Sequence, residues 1–259
     1  MKLLLQKVVI IKTESPSGTT HLRRAIRQNL QHLITVLHEA GAEFNIEDEK
    51  NAAPLLFAAE AGHAEIIKIL MDYKRTETSS CPNSQSNRVD TPLHQAAKDG
   101  DASVVDQLVR SGADLESRNH SHQTPLALAV EMCQVAVVRG LLHHGADPQS
   151  TLLLSLAVDS NKTEGTRLEI VRTLLLAGAN IEVESAHGRT ALHIAAQLGY
   201  TTIMEFLLEN GAKTETEDTW GYTPMEWASR WGRRDSVQVL LAHEAKVNMG
   251  NTGEVRLPT

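Results

Sequence analysis

One short pattern returns along this chain at nearly fixed spacing, and it constrains the fold more than any other feature. Its clearest copies read Thr91-Pro92-Leu93-His94-Gln95-Ala96-Ala97 and Thr190-Ala191-Leu192-His193-Ile194-Ala195-Ala196. In each, a Gly-Ala pair follows 21 residues after the Thr, at Gly112-Ala113 and Gly211-Ala212. The spacing has a physical reading. A Thr at a helix start accepts from a first-turn N–H, and Pro92 at the next position loses an N–H that had no partner anyway. Ala96 and Ala97 keep the first helix thin enough for close approach. Val104, Val105, Leu108 and Val109 then give a second helix one apolar face, and Gly112 supplies the left-handed residue that ends it. No such unit buries both faces alone, so stability must come from stacking copies into a continuous core.

Seven copies are read by internal comparison. The helix-one Ala recurs as Ala25, Ala58, Ala96, Ala129, Ala157, Ala195 and Ala228. Helix-two aliphatic pairs recur as Leu33-Ile34, Ile66-Ile67, Val104-Val105, Val137-Val138, Ile170-Val171 and Ile203-Met204, with Ser236 standing before Val237 in the seventh. Further turn pairs fall at Gly41-Ala42, Gly145-Ala146 and Gly178-Ala179, while Lys74 and Glu244 occupy the Gly position in copies two and seven. These motifs resemble the ankyrin repeat, T-P-L-H-x-A-A…G-A-D, over most of the chain. The resemblance implies an all-α solenoid of stacked helix-turn-helix repeats with short β-hairpin fingers. The expected copies are about 17–49, 50–84, 85–118, 119–149, 150–184, 185–217 and 218–248, an ankyrin repeat domain over 17–248. An N-terminal cap segment over 1–16, with Leu4, Leu5, Val8, Val9 and Ile11 as its apolar side, and a partly disordered tail over 249–259 complete the expectation.

Composition fits thin helical layers, with aromatics at only 3%. A net charge of −7 argues against nucleic acid. The two cysteines, Cys81 and Cys133, form no disulfide framework and suit a reducing, intracellular (cytoplasmic or similar) setting. Gln6 and Lys7 break the opening apolar run, so a signal peptide is not expected, and no stretch reaches the ~20 apolar residues of a membrane span.

Two intervals break the rhythm. From turn position to next helix start the usual distance is 12 residues; it is 17 between copies two and three, and 7 between copies four and five. Arg75 to Arg88 therefore reads as a surface loop. The segment Asp147 to Thr151 leaves almost no finger, hence a notch, and Asp159 to Arg167 reads as an inserted loop between the two helices of copy five.

The resemblance implies that partners contact finger tips and the exposed side of the first helices. In copy seven those positions are Thr219, Trp220, Tyr222, Arg230 and Trp231; in copy six they include His187, Arg189 and Gln197; in copies three and four, Lys98, Asp99 and Glu131. Trp, Tyr and Arg dominate binding hot spots. Trp227, on the first helix of copy seven, is expected in the core. Arg189, Arg230, Arg233 and Arg234 make this end locally basic, which suits an acidic peptide with an apolar anchor or an anionic small molecule. His94 and His193 take the family's structural position. The pairs His120/His122 and His143/His144 lack a third metal ligand, so no metal or cofactor is expected. The leading expectation is a non-catalytic, monomeric scaffold for a protein or peptide partner. The alternative is an enzyme of isomerase or cyclase type, using Asp99, Glu131, Asp159 and His187 as acid/base groups on a small organic substrate.

Overall fold

The computed structural model describes residues 21–39, 54–74, 90–149, 152–159 and 163–243. They form fourteen helices in seven consecutive pairs: α1 His21–Arg27 and α2 Gln31–Glu39, α3 Pro54–Glu60 and α4 Ala64–Lys74, α5 Pro92–Asp99 and α6 Ala102–Arg110, α7 Pro125–Glu131 and α8 Val135–His143, α9 Leu153–Asp159 and α10 Glu164–Leu176, α11 Ala191–Leu198 and α12 Thr201–Glu209, α13 Pro224–Arg230 and α14 Arg234–Ala242. The chain divides into two compact units, 1–147 and 148–259, and the division falls where the short interval removes a finger. In unit 1 the first helices stack in the order α1, α3, α5, α7 and the second helices in the order α2, α4, α6, α8. In unit 2 the same rule orders α9, α11, α13 and α10, α12, α14. The expected cap, the Gly41-Ala42 turn, the loop Arg75 to Arg88 and the tail lie outside the described residues.

Local chemistry sets these elements. Thr91, Thr124, Thr190 and Thr223 are N-caps with extended backbone, and Thr124 Oγ1 accepts from the Ala127 N–H at 3.2 Å. Gly112, Gly145, Gly178 and Gly211 follow second helices with φ between 89° and 94°, the region where a Cβ is penalised. Copy two has Lys74 at that position, and it is the last residue of α4.

The core is two aliphatic layers. Ala58, Ala96, Ala129, Ala157, Ala195 and Ala228 are fully buried, as are Ile66-Ile67, Val104-Val105, Val137-Val138, Ile170-Val171 and Ile203-Met204. Each buried Ile, Val or Met side chain contributes about 1.5–3 kcal/mol. The ends depart from the rule: Leu33 is exposed while Ile34 is buried, and Ser236 is buried beside a half-buried Val237.

Copies are tied by polar bonds as well. The buried His94 imidazole takes the Thr91 N–H on Nδ1 at 3.3 Å and donates from Nε2 to the Gln123 carbonyl of the next finger at 2.9 Å. His193 repeats this with Thr190 at 3.1 Å and the Tyr222 carbonyl at 3.1 Å. Both rings are therefore the neutral Nε2–H tautomer, and burial pushes both below the ordinary histidine range. Glu116 and Glu182 accept the backbone N–H of Asp147 and Lys213, each 31 residues on, at 2.9 Å.

Two expectations need correction. Among the described residues the fingers contain no strand. Each is a tight turn held by two backbone bonds: Asn119 N–H to Gln123 O, Ser185 N–H to Arg189 O and Asp218 N–H to Tyr222 O at 2.9–3.0 Å, and inside them His122 N–H to Asn119 O, Gly188 N–H to Ser185 O and Gly221 N–H to Asp218 O at 2.8–2.9 Å. Both bonds are spent within the five residues of the turn, whose first side chain takes further N–H groups, and no ladder is left to extend. The insertion of copy five is also not wholly loop. Glu164 to Arg167 form the first turn of the thirteen-residue α10. Arg167 is buried with its guanidinium 4.3 Å from the Tyr200 ring centroid, and Glu164 Oε1 accepts from Thr202 Oγ1 at 2.5 Å. The added residues clasp the next copy.

Candidate functional site

The finger of copy seven is organised by one carboxylate. Asp218 is buried, and its Oδ1 accepts the N–H groups of Trp220 and Tyr222 at 2.9 Å each. Its Oδ2 accepts from Trp227 Nε1 at 2.7 Å. Asn119 in copy four and Ser185 in copy six hold their turns from the same position, five residues before the helix-capping Thr. Only Asp218 has a second oxygen for an indole. Trp227 is accordingly half-buried rather than core, because its N–H must reach a polar partner.

Around Trp227 the side chains of copies six and seven converge. Its ring meets Trp220 and Tyr222 edge-on, with centroids 6.3 and 5.9 Å away. The Arg189 guanidinium lies 5.4 Å from its centroid and donates to Gln197 Oε1 at 2.8 Å. Trp220 stacks on His187 at 5.1 Å, and Arg230 lies 5.6 Å over the Tyr222 ring. The two fingers touch through backbone: the Thr219 N–H donates to the His187 carbonyl at 3.1 Å. Gly188 between them has φ +68°, and a Cβ there would stand 3.0 Å from the Thr219 nitrogen. Trp220 remains 47% exposed and Trp231, which ends α13, 53% exposed. Large apolar side chains left this open need an explanation beyond solubility.

Of the expected contact residues, the structure brings together His187, Arg189, Gln197, Trp220, Tyr222 and Arg230, with Trp231 capping the helix that Arg230 ends. Lys98, Asp99 and Glu131 belong to unit 1 and form no part of that cluster. Lys98 is exposed, Asp99 accepts from Gln95 Nε2 at 2.8 Å, and Glu131 accepts from Gln123 Nε2 at 2.5 Å. The proposed acid/base set is likewise divided, with Asp99 and Glu131 in unit 1 and Asp159 and His187 in unit 2, all four exposed. A cavity of about 410 Å³ in unit 2 is lined by Leu208, Ala212, Lys213, Thr214, Glu215 and His243 and includes none of them. Among the described residues no group of three His, Cys, Asp or Glu side chains could hold a metal, and no helix is long and apolar enough to cross a membrane. Asp218 was missed as a site residue, although aligning it with Asn119 and Ser185 marks the position as turn-forming.

A sequence model of the family described as ankyrin repeats (3 copies) matches residues 22–119, 55–151 and 154–251. The chain belongs to the ankyrin repeat family. It is 29% identical over 188 residues to ankyrin repeat domain-containing protein SAT10 of Stachybotrys chartarum, covering 70% of this chain and 9% of that protein. It is 31% identical over 208 residues to ankyrin repeat and KH domain-containing protein mask-1 of Caenorhabditis elegans, covering 80% of this chain and 6% of that one. The chain thus spans only a small part of the length of these curated relatives. Among solved structures, the ankyrin repeat domain of Bcl-3, described as a unique member of the IkappaB protein family, superposes with a TM-score of 0.74 at 25% identity, over 86% of this chain and 99% of that one. The human ASB11 ankyrin repeat domain gives 0.71 at 22% identity, over 88% and 100%, a likeness of fold.

Proposed function

We propose that this ankyrin repeat chain is a non-catalytic binding module. Its main contact surface would be the finger and first-helix side of copies six and seven, and its partner a protein or peptide. The observation that carries the reading is the pair of half-exposed indoles, Trp220 and Trp231, beside a cluster already held by Asp218, Gln197 and His187. Side chains fixed before binding lose little entropy on association, and Trp, Tyr and Arg are the types that concentrate binding energy.

The test is selection of random linear peptides displayed on phage against the full chain. Selected peptides should lose binding by about 2 kcal/mol or more on Trp220→Ala or Trp231→Ala. Both variants should keep the thermal stability of the parent. Peptides that bind both variants as tightly as the parent would refute the assignment of this surface.

A further inference from the structure

Charge in copies six and seven is sorted by partner. The carboxylates of the finger and first helix turn inward: Asp218 is filled by two backbone N–H groups and the Trp227 indole, and Glu226 accepts from the Thr223 N–H at 2.7 Å and its hydroxyl at 3.1 Å. The guanidiniums pair with none of these carboxylates. Among the described residues, Arg189, Arg230, Arg233 and Arg234 have no carboxylate within ion-pair distance, in a chain of net charge −7. Exposed Glu217 and Asp235 make no ion pair with them. By contrast, Arg110 in unit 1 closes on Asp106 at 3.0 Å. Three of the four arginines are also positioned, Arg233 by donating from its Nε to the Gln197 carbonyl at 3.0 Å. Arg189 is fixed by Gln197 and the Trp227 face, and Arg230 lies on Tyr222 with Nη1 3.4 Å from its hydroxyl. Arg230, exposed and backed by the Tyr222 ring, keeps most of its N–H fork for a planar oxyanion, while Arg189, with Nη1 on Gln197 and Nε buried, offers its remaining Nη N–H groups.

On the reading that this surface binds a peptide, we propose that the recognised segment is acidic. Its Asp or Glu side chains would meet Arg189 and Arg230, and one large apolar residue would pack on the exposed edges of Trp220 and Trp231. The rings argue for peptide over single-stranded nucleic acid. Base stacking needs open aromatic faces, and here His187 takes one face of Trp220, Arg189 one of Trp227 and Arg230 one of Tyr222, which leaves Trp231, among the described residues, as the indole without such a partner.

The experiment is fluorescence anisotropy on the full chain with three pools of labelled peptides. All carry a central Leu, Phe or Trp; the flanks are Asp/Glu, Asn/Gln or Lys. A labelled single-stranded RNA forms a fourth arm. The acidic pool should bind about tenfold tighter than the uncharged pool and weaken as salt is raised. Arg189→Gln and Arg230→Gln should each reduce acidic-pool binding several-fold, roughly fivefold for an exposed pair, with no effect on the uncharged pool. Arg230 is exposed, so its variant remains informative if Arg189→Gln disturbs the finger. Equal binding of acidic and uncharged pools, lost on Trp220→Ala, would overturn the charge assignment and leave the peptide surface standing. Binding of no pool, or binding insensitive to both tryptophans, would overturn both. Preference for the RNA would also overturn both.

Discussion

Replacing Asp218 by Asn separates two jobs that one carboxylate performs. Asn119 shows that an amide oxygen in this position takes two turn N–H groups at 3.0 Å, so Asp218→Asn keeps the finger. What it loses is the Oδ2 bond to Trp227 Nε1, because the amide nitrogen is itself a donor. A hydrogen bond to a charged group is worth about 1.5–3 kcal/mol, which sets the expected loss near 2 kcal/mol. Asp218→Ala removes all three bonds and strands two backbone donors, so it should cost about 1–2 kcal/mol more. The assay is urea unfolding followed by tryptophan fluorescence. All three tryptophans, 220, 227 and 231, lie in copy seven, so the signal reports this copy even where a repeat array does not unfold as one unit. A double-mutant cycle with Trp227→Phe should give a coupling of at least about 1 kcal/mol. A coupling near zero, or an Asn variant as damaging as the Ala variant, would refute the claim that Asp218 positions the indole.

Stability should fall on acidification because His94 and His193 are held below the ordinary histidine value by burial. Below about pH 6.5 the unfolded chain binds protons that the folded chain does not, so their contribution is present above that pH and is lost below it, at no more than about 1.4 kcal/mol per pH unit for each ring; equal melting temperatures at about pH 7 and pH 5 would contradict this. Tyr200→Ala should cost roughly 2 kcal/mol or more, since it uncovers the buried Arg167 guanidinium, and hydrogen exchange should rise first at the start of α10; unchanged protection there would remove the clasp. Ser236→Ala should leave the protein as stable or raise stability by about 1 kcal/mol, because the Ser236 hydroxyl is fully buried without a hydrogen-bond partner; a loss above ~1 kcal/mol by denaturant titration would show that the hydroxyl has a role.

The repeat itself was legible because each of its signals is local. A Thr cap, an Ala pair, an aliphatic face at helical spacing and a left-handed Gly each act within one or two turns, so Thr91, Ala96, Val104 and Gly112 announce their roles without reference to distant residues. The seven-residue interval was equally visible, and the division at 147 falls there. Long-range geometry decided the rest. The insertion reads as polar loop until Tyr200, far along the chain, gives Arg167 a surface to pack on. The fingers read as hairpins until it emerges that two backbone bonds and one side chain complete each turn. Trp227 reads as core by its apolar bulk, but its indole N–H requires an acceptor, and only the folded finger brings Asp218 within 2.7 Å of it. Sequence fixes what each segment prefers by itself; tertiary structure decides which polar groups meet, because such bonds depend on separations of a few tenths of an ångström that residue spacing does not encode.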